Sequence, residues 1–130
     1  MCALVENPDG SITIPIQDLY AVDDVDRRFT ELGVRARVLQ ADPHHATAVN
    51  ELDWTDLYPQ IVPDNGPDPW ITLRPDAIPT KTTLLLVVQE LQDPRGADAG
   101  KAARIMLVGN PAPERIGPVF RAPKLPPKLQ

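Results

Sequence analysis

The chain is poor in several things at once, and each shortage narrows what it can be. Its single cysteine, Cys2, rules out an intramolecular disulfide and a thiolate metal site. Aromatic residues are 5% of the sequence, two each of Trp, Tyr and Phe, so a core must be built from Val, Ile and Leu. Basic residues are outnumbered, 13 against 18 acids for a net charge of −5. That balance argues against nucleic acid, whose phosphates need a basic face, and against docking on anionic lipid. No apolar run approaches the roughly 20 residues that cross a bilayer. No positively charged leader with an apolar stretch opens the chain. Read as it stands, the sequence is expected in the cytoplasm; trimmed from behind an anchor, the same sequence belongs outside it.

Sequence signatures of catalysis are missing too. There is no G-x-S-x-G elbow, and Cys2 has no histidine at a fixed spacing. Val108-Gly109-Asn110-Pro111 reads as a strand exit, because proline lacks the amide that a phosphate cradle uses. Asp64-Asn65-Gly66-Pro67-Asp68 has the acids and glycine of a calcium loop without its spacing.

What the chain has in quantity is punctuation. Sixteen prolines and seven glycines in 130 residues predict many loops and few long helices. Asn7-Pro8-Asp9-Gly10 is a turn with a fixed φ followed by a permissive glycine. Ile12, Ile14 and Ile16 then alternate with Ser11, Thr13 and Pro15, a strand that proline marks as an edge or a strand end. Leu19, Val22, Val25, Phe29 and Leu32 form a helical stripe closed by Gly33. Val34, Ala36 and Val38 alternate with Arg35 and Arg37, predicting a strand with one buried face and one wet face. If the two strands share a parallel sheet, the crossover is right-handed; antiparallel strands, or strands in different sheets, fit the pattern as well.

Downstream, Glu51 to Tyr58 predicts one or two helical turns stopped by Pro59, and Ile61 to Pro69 a loop. Trp70 to Leu73 predicts a short strand. Leu84 to Val88, with no polar face, predicts a central strand covered on both sides. Asp93 to Gly100 reads as a loop, and Arg104 to Val108 as the hairpin partner of the central strand. The last twenty residues hold six prolines, four basic residues and one acid, Glu114, the composition of an extended tail. The expectation is one α/β or α+β domain over residues 1–110. It has one main helix on a mixed sheet of four or five strands, then a basic proline-rich tail over 111–130. On that reading, ending the chain at Asn110 leaves stability unchanged.

Candidate sites each have a plain alternative. Asp42, His44 and His45 suggest a metal, with Asp53 and Asp56 as further oxygen donors, but no motif fixes the remaining ligands and surface histidines explain the pair. Asp23, Asp24 and Asp26 suit acid–base work only if burial splits their pKa values; charge at a helix N-terminus accounts for them. Trp54, Tyr58 and Trp70 surround the proline-rich middle of the chain and suit a partner surface or a core plug. Arg35 and Arg37 make a basic spot or a solvated strand face. Pro123-Lys124-Leu125-Pro126 is a P-x-x-P that an aromatic groove reads, with Pro123 and Pro126 as contacts. No cofactor is expected.

The stretch N-P-D-G-S-I-T-I-P-I, the later E-L-G-V-R-A-R-V-L and W-I-T-L-R-P-D-A-I-P-T-K-T-T-L-L-L-V resemble small actinobacterial domains carried behind a membrane anchor. The resemblance covers Asn7 to Val88 and departs at the missing anchor, the Trp54 insert and the tail. It implies an extracytoplasmic domain and, since that group has no established activity, assigns no functional residue. Three functions follow in order of preference. The first is a non-enzymatic protein-interaction domain associated with the envelope. The second is a small acidic cytoplasmic inhibitor or immunity-type protein that covers a basic partner. The third is a hydrolase or metal-dependent enzyme with a site near Asp42 and His44.

Overall fold

A computed structural model describes residues 4–46, 49–63, 69–92, 95 and 98–120. The elements, in chain order, are β1 (Val5–Glu6), β2 (Ile12–Pro15), α1 (Val22–Glu31), β3 (Ala36–Gln40), α2 (Tyr58–Ile61), β4 (Trp70–Leu73), β5 (Thr82–Gln92) and β6 (Asp98–Gly109). The class is α+β, and the strands divide into two three-stranded sheets rather than one larger sheet. The first has the order β1-β2-β4 and is antiparallel; the second has the order β3-β5-β6. In the second, β3 runs parallel to β5 and β6 antiparallel to it.

The single mixed sheet of four or five strands is therefore corrected, and of the alternatives left open for the strand–helix–strand unit the structure takes the one with strands in different sheets. β2 and β3 flank α1 as expected, but they lie in different sheets. Ile12 and Ile14 face a core that belongs to both sheets, and alternation specifies which face is buried without specifying which strand lies alongside. Pro15 is the last residue of β2, opposite Trp70, where its missing N–H costs little.

The second sheet carries the main core. On one face Ala36, Val38, Leu84, Leu86, Val88 and Leu107 meet Ile12, Ile14 and Leu73 of the first sheet and Val25 and Phe29 of α1. On the other face Leu39, Ala41, Leu85, Val87, Met106 and Val108 form a separate apolar layer. β5 is thus central and covered on both sides, as its unbroken apolar run requires. The face of β3 expected to be wet is mixed: Arg35 before the strand is exposed and Arg37 half-buried, whereas Leu39 and, just past the strand, Ala41 are buried.

That second layer is closed by residues 111–120. Ile116 is 1% exposed within it, with Ala112 and Val119 packed alongside. The Asp42 N–H donates to the Ile116 carbonyl at 2.8 Å, and Arg115 pairs with Asp42 at 2.9 Å. Gln89 completes the attachment. Its Oε1 accepts the Val119 and Phe120 N–H groups at 2.7 and 2.9 Å, and its Nε2 donates to the Phe120 carbonyl at 2.9 Å. One side-chain amide thereby serves both backbone polarities, as a neighbouring strand does. The segment expected as an extended tail from Pro111 is a strap up to Phe120, and the core extends past Asn110. Proline content is compatible with this because a strap bonded through one glutamine and one turn amide needs few N–H groups of its own.

Two local expectations also change. Pro59 does not stop a helix; it occupies the first turn of α2, where its missing N–H is no loss. β6 begins at Asp98, well before Arg104, and passes through Gly100 at φ +93. Cys2, residues 64–68, Pro123 and Pro126 lie outside the described residues.

Candidate functional site

The acids of α1 are structural. Asp23 and Asp24 sit in its first turn, where carboxylates favour the positive end of the helix. Asp24 pairs with Arg27 at 3.0 Å. Asp26 reaches over the outer edge of β3, where its Oδ1 accepts the Val38 N–H at 2.9 Å and the Arg37 Nε at 2.8 Å. Its Oδ2 takes Arg37 Nη2 at 3.1 Å. Bidentate binding to Asp26 raises the Arg37 pKa further above its ordinary range. Arg35 donates to the Ile78 carbonyl. The two arginines are thus tied to α1 and to the turn before β5, not gathered into one basic patch.

The histidine cluster does not assemble a ligand set. Asp42 Oδ1 accepts the His44 N–H at 2.9 Å and Oδ2 pairs with Arg115. These bonds, the first to His44 and the second to Arg115, hold the Asp42 carboxyl below its ordinary range. Asp53 lies elsewhere, its Oδ1 accepting the Thr55 hydroxyl at 2.8 Å and the Thr55 N–H at 3.3 Å, which depresses its pKa. Among the described residues no three His, Cys, Asp or Glu side chains could hold a metal together. No helix of the described residues is long and apolar enough to cross a membrane.

The aromatic group divides. Trp54 and Tyr58 come together, with ring centroids 4.9 Å apart at an interplanar angle of 49°, a favourable tilted pair. Trp54 is 9% exposed and belongs to the main core, whereas Tyr58 is 45% exposed. The Trp54 carbonyl accepts both the Leu57 and Tyr58 N–H groups, so a single turn sets the ring spacing. Trp70, 40% exposed, stands at the start of β4 opposite Pro15.

Trp54 and Tyr58 wall an open groove of about 630 Å³ completed by Glu51, Leu52, Asp53, Thr55 and Pro59. Its floor is anchored to the second sheet: Glu51 bridges to Val108, and the Leu52 N–H donates to the Leu107 carbonyl at 2.8 Å. Arg104 binds both Glu51 oxygens, at 2.9 and 3.1 Å, so Glu51 enters the groove already neutralised. Asp53 and the exposed Asp56 supply the uncompensated negative charge nearby. Pro59 also borders a second groove of about 640 Å³, lined by Asp9, Gly10, Ser11, Arg74 and Asp76.

No protein-family model, curated protein or solved structure matches this chain. The groove therefore has to be read from its own chemistry. It offers two aromatic faces, a proline, a leucine and acids, with the Thr55 hydroxyl held on Asp53. Sequence reasoning selected Trp54 and Tyr58 but missed Glu51, Leu52 and Pro59 as walls. The two aromatics within residues 51–59 were the available signal; the pairing of Glu51 with Val108, 57 positions on, leaves no local trace.

Proposed function

We propose that the protein is a non-catalytic interaction domain that receives an extended segment of a partner protein in the Trp54–Tyr58 groove. The observation that carries this reading is the division of labour between the rings. Trp54 is fixed in the core and Tyr58 packs against it at a tilt, with nearly half its surface in solvent. A rigid aromatic held open costs little entropy to bind against, which is why tyrosine and tryptophan dominate contact hot spots. Leu52 and Pro59 extend the apolar floor, and Asp53 adds charge selectivity. The resemblance to anchored extracytoplasmic domains supports placing this contact at the cell envelope.

The test is panning of a random peptide display library on the full chain and on its Tyr58→Ala variant. Peptides enriched by the first and lost with the second support the reading. Enrichment indifferent to Tyr58, or none, overturns it.

A further inference from the structure

The second sheet treats its two outer edges differently. Along β3 the outward Val38 N–H is taken by Asp26 of α1. Along β6, residues 50–52 cover only one end: the Leu52 N–H donates to the Leu107 carbonyl at 2.8 Å and the Gly109 N–H to the Asn50 carbonyl at 3.3 Å. Those two bonds fix which way the backbone of β6 points. Successive residues of a strand bond to opposite sides, so Leu107 and Gly109 face outward, and with them Lys101, Ala103 and Ile105. The even positions face β5, with which β6 keeps unbroken register from Lys101 to Gly109. Among the described residues, Ala103 and Ile105 have no bond on the outward side.

The open stretch has definite ends. At one, Leu52 holds the Leu107 carbonyl. At the other, the Tyr20 hydroxyl donates to the Lys101 carbonyl at 3.3 Å. Just before it, Gly100 at φ +93 and the register break between Glu90 and Gln92 bend the strand. Lys101-Ala102-Ala103-Arg104-Ile105 contains neither proline nor a bulge, devices that blunt an edge. Its charges are engaged within the chain: Lys101 Nζ lies 5.5 Å from the centroid of the Tyr20 ring, and Arg104 binds Glu51 at 2.9 Å. Ala103 and Ile105 are half-buried against the main core and leave apolar surface at this edge.

We propose that a second copy of this chain covers the edge, β6 against β6, antiparallel and centred on Ala103. The open stretch is symmetric about that residue, so a two-fold axis there overlaps the whole of it. Ala103 exchanges both bonds with Ala103 of the partner copy, and Lys101 does so with its Ile105. The Lys101 carbonyl keeps a lone pair for this beside the Tyr20 hydroxyl. Side chains agree with the register, because Arg104 lies opposite the partner copy's Ala102 and no like charges oppose each other. Any other centre shortens the overlap, and the next one, on Arg104, sets arginine directly against arginine. The bend at Gly100 turns the partner copy's strand aside before it reaches Leu52. The two sheets become one, of order β3-β5-β6-β6-β5-β3.

The experiment is sedimentation equilibrium of the full chain in reductant, from about 10 μM to about 1 mM, the range in which small interfaces associate, with amide exchange read by NMR at both ends. A shift from monomer to dimer is expected. The Ala103 and Ile105 amides are expected to exchange severalfold more slowly at the high concentration, while those of Ala102 and Arg104, bonded to β5, are unchanged. Ala103→Pro removes only an outward N–H, which an edge strand tolerates; it is expected to keep the melting temperature and stay monomeric. Ala102→Glu sets an acid opposite the partner copy's Arg104 and is expected to tighten the dimer severalfold, a gain absent from the register centred on Arg104. A chain that stays monomeric over the whole range overturns the proposal. So does a dimer whose Ala103 and Ile105 amides stay fast, or one that survives Ala103→Pro. Slow exchange of those amides in the monomer overturns it as well, since the chain itself then covers the edge. Should Ala103→Pro fail to fold, the exchange measurement and Ala102→Glu decide.

Discussion

Ile116→Ala removes three carbons from the centre of the layer formed by Leu39, Leu85, Val87, Met106 and Val108. At about 0.8 kcal/mol per buried methylene, the transfer cost alone is about 2.5 kcal/mol. The cavity left behind adds to this, and core truncations of this kind lose about 2–5 kcal/mol. The strap can settle inward because it is held at Asp42 on one side and Gln89 on the other. The middle of that range, about 3–4 kcal/mol, is therefore expected. For a chain of this length each kcal/mol moves the melting temperature by roughly 3–5 °C, so the midpoint falls by roughly 10–15 °C. Urea titration with a shared m-value, checked by calorimetry, measures it. Ending the chain at Asn110 should cost more still and expose the layer to a hydrophobic dye. A loss below about 1 kcal/mol for Ile116→Ala is what a surface position gives, and would refute the strap as part of the core.

Three further outcomes follow from the same structure. Asp26→Ala should cost about 1–2 kcal/mol in denaturant titration, because it removes a charge-assisted pair with Arg37 and the acceptor of the Val38 N–H; Asp23→Ala should cost far less. Lys81→Gly should stabilise by about 0.5–1 kcal/mol, since Lys81 is held at φ +66, a conformation unfavourable to a side chain; a melting temperature that falls sinks this reading. Asp9, Asp42 and Asp53 all have carboxyls lowered from 3.8, by bonds to Ser11, to His44 and Arg115, and to Thr55 respectively. Stability they contribute is present above that value and is lost as pH falls through their lower folded values. The melting temperature should therefore drop with pH below about 4, and Asp42→Asn should flatten part of that slope.

Local patterns made some of the fold legible. The Val25–Phe29 stripe of α1 carries a helical period, while the shortness of Trp70–Leu73 and of the unbroken apolar run of β5, bounded by turn residues, favoured strands over buried helices. The division into two sheets was not legible, because Ile12 and Ile14 bury the same faces whether β2 lies beside β3 or opposite it. Residues 111–120 misled because proline content describes how a segment behaves alone, whereas Ile116 is buried by a sheet face whose residues lie 8 to 77 positions earlier. Asp26 looked like helix-end charge; its bonds to Arg37 and Val38 depend on how α1 lies over the β3 edge. At the groove, aromatic identity pointed to Trp54 and Tyr58, and the pairing that positions them did not show in the sequence.

The two faces of the second sheet are covered by very different means, one by a helix and another sheet, the other by a single pass of chain. The strap is synthesised after every strand it covers. On the ribosome, β3 and β5 are therefore available before anything can close over Leu39, Leu85 and Val87. Until Ile116 emerges, the nascent chain presents an apolar sheet face to the cytosol, the kind of surface that chaperones recognise and that aggregates when they are scarce. Yield during rapid expression should thus respond to chaperone supply more than the finished domain's stability suggests.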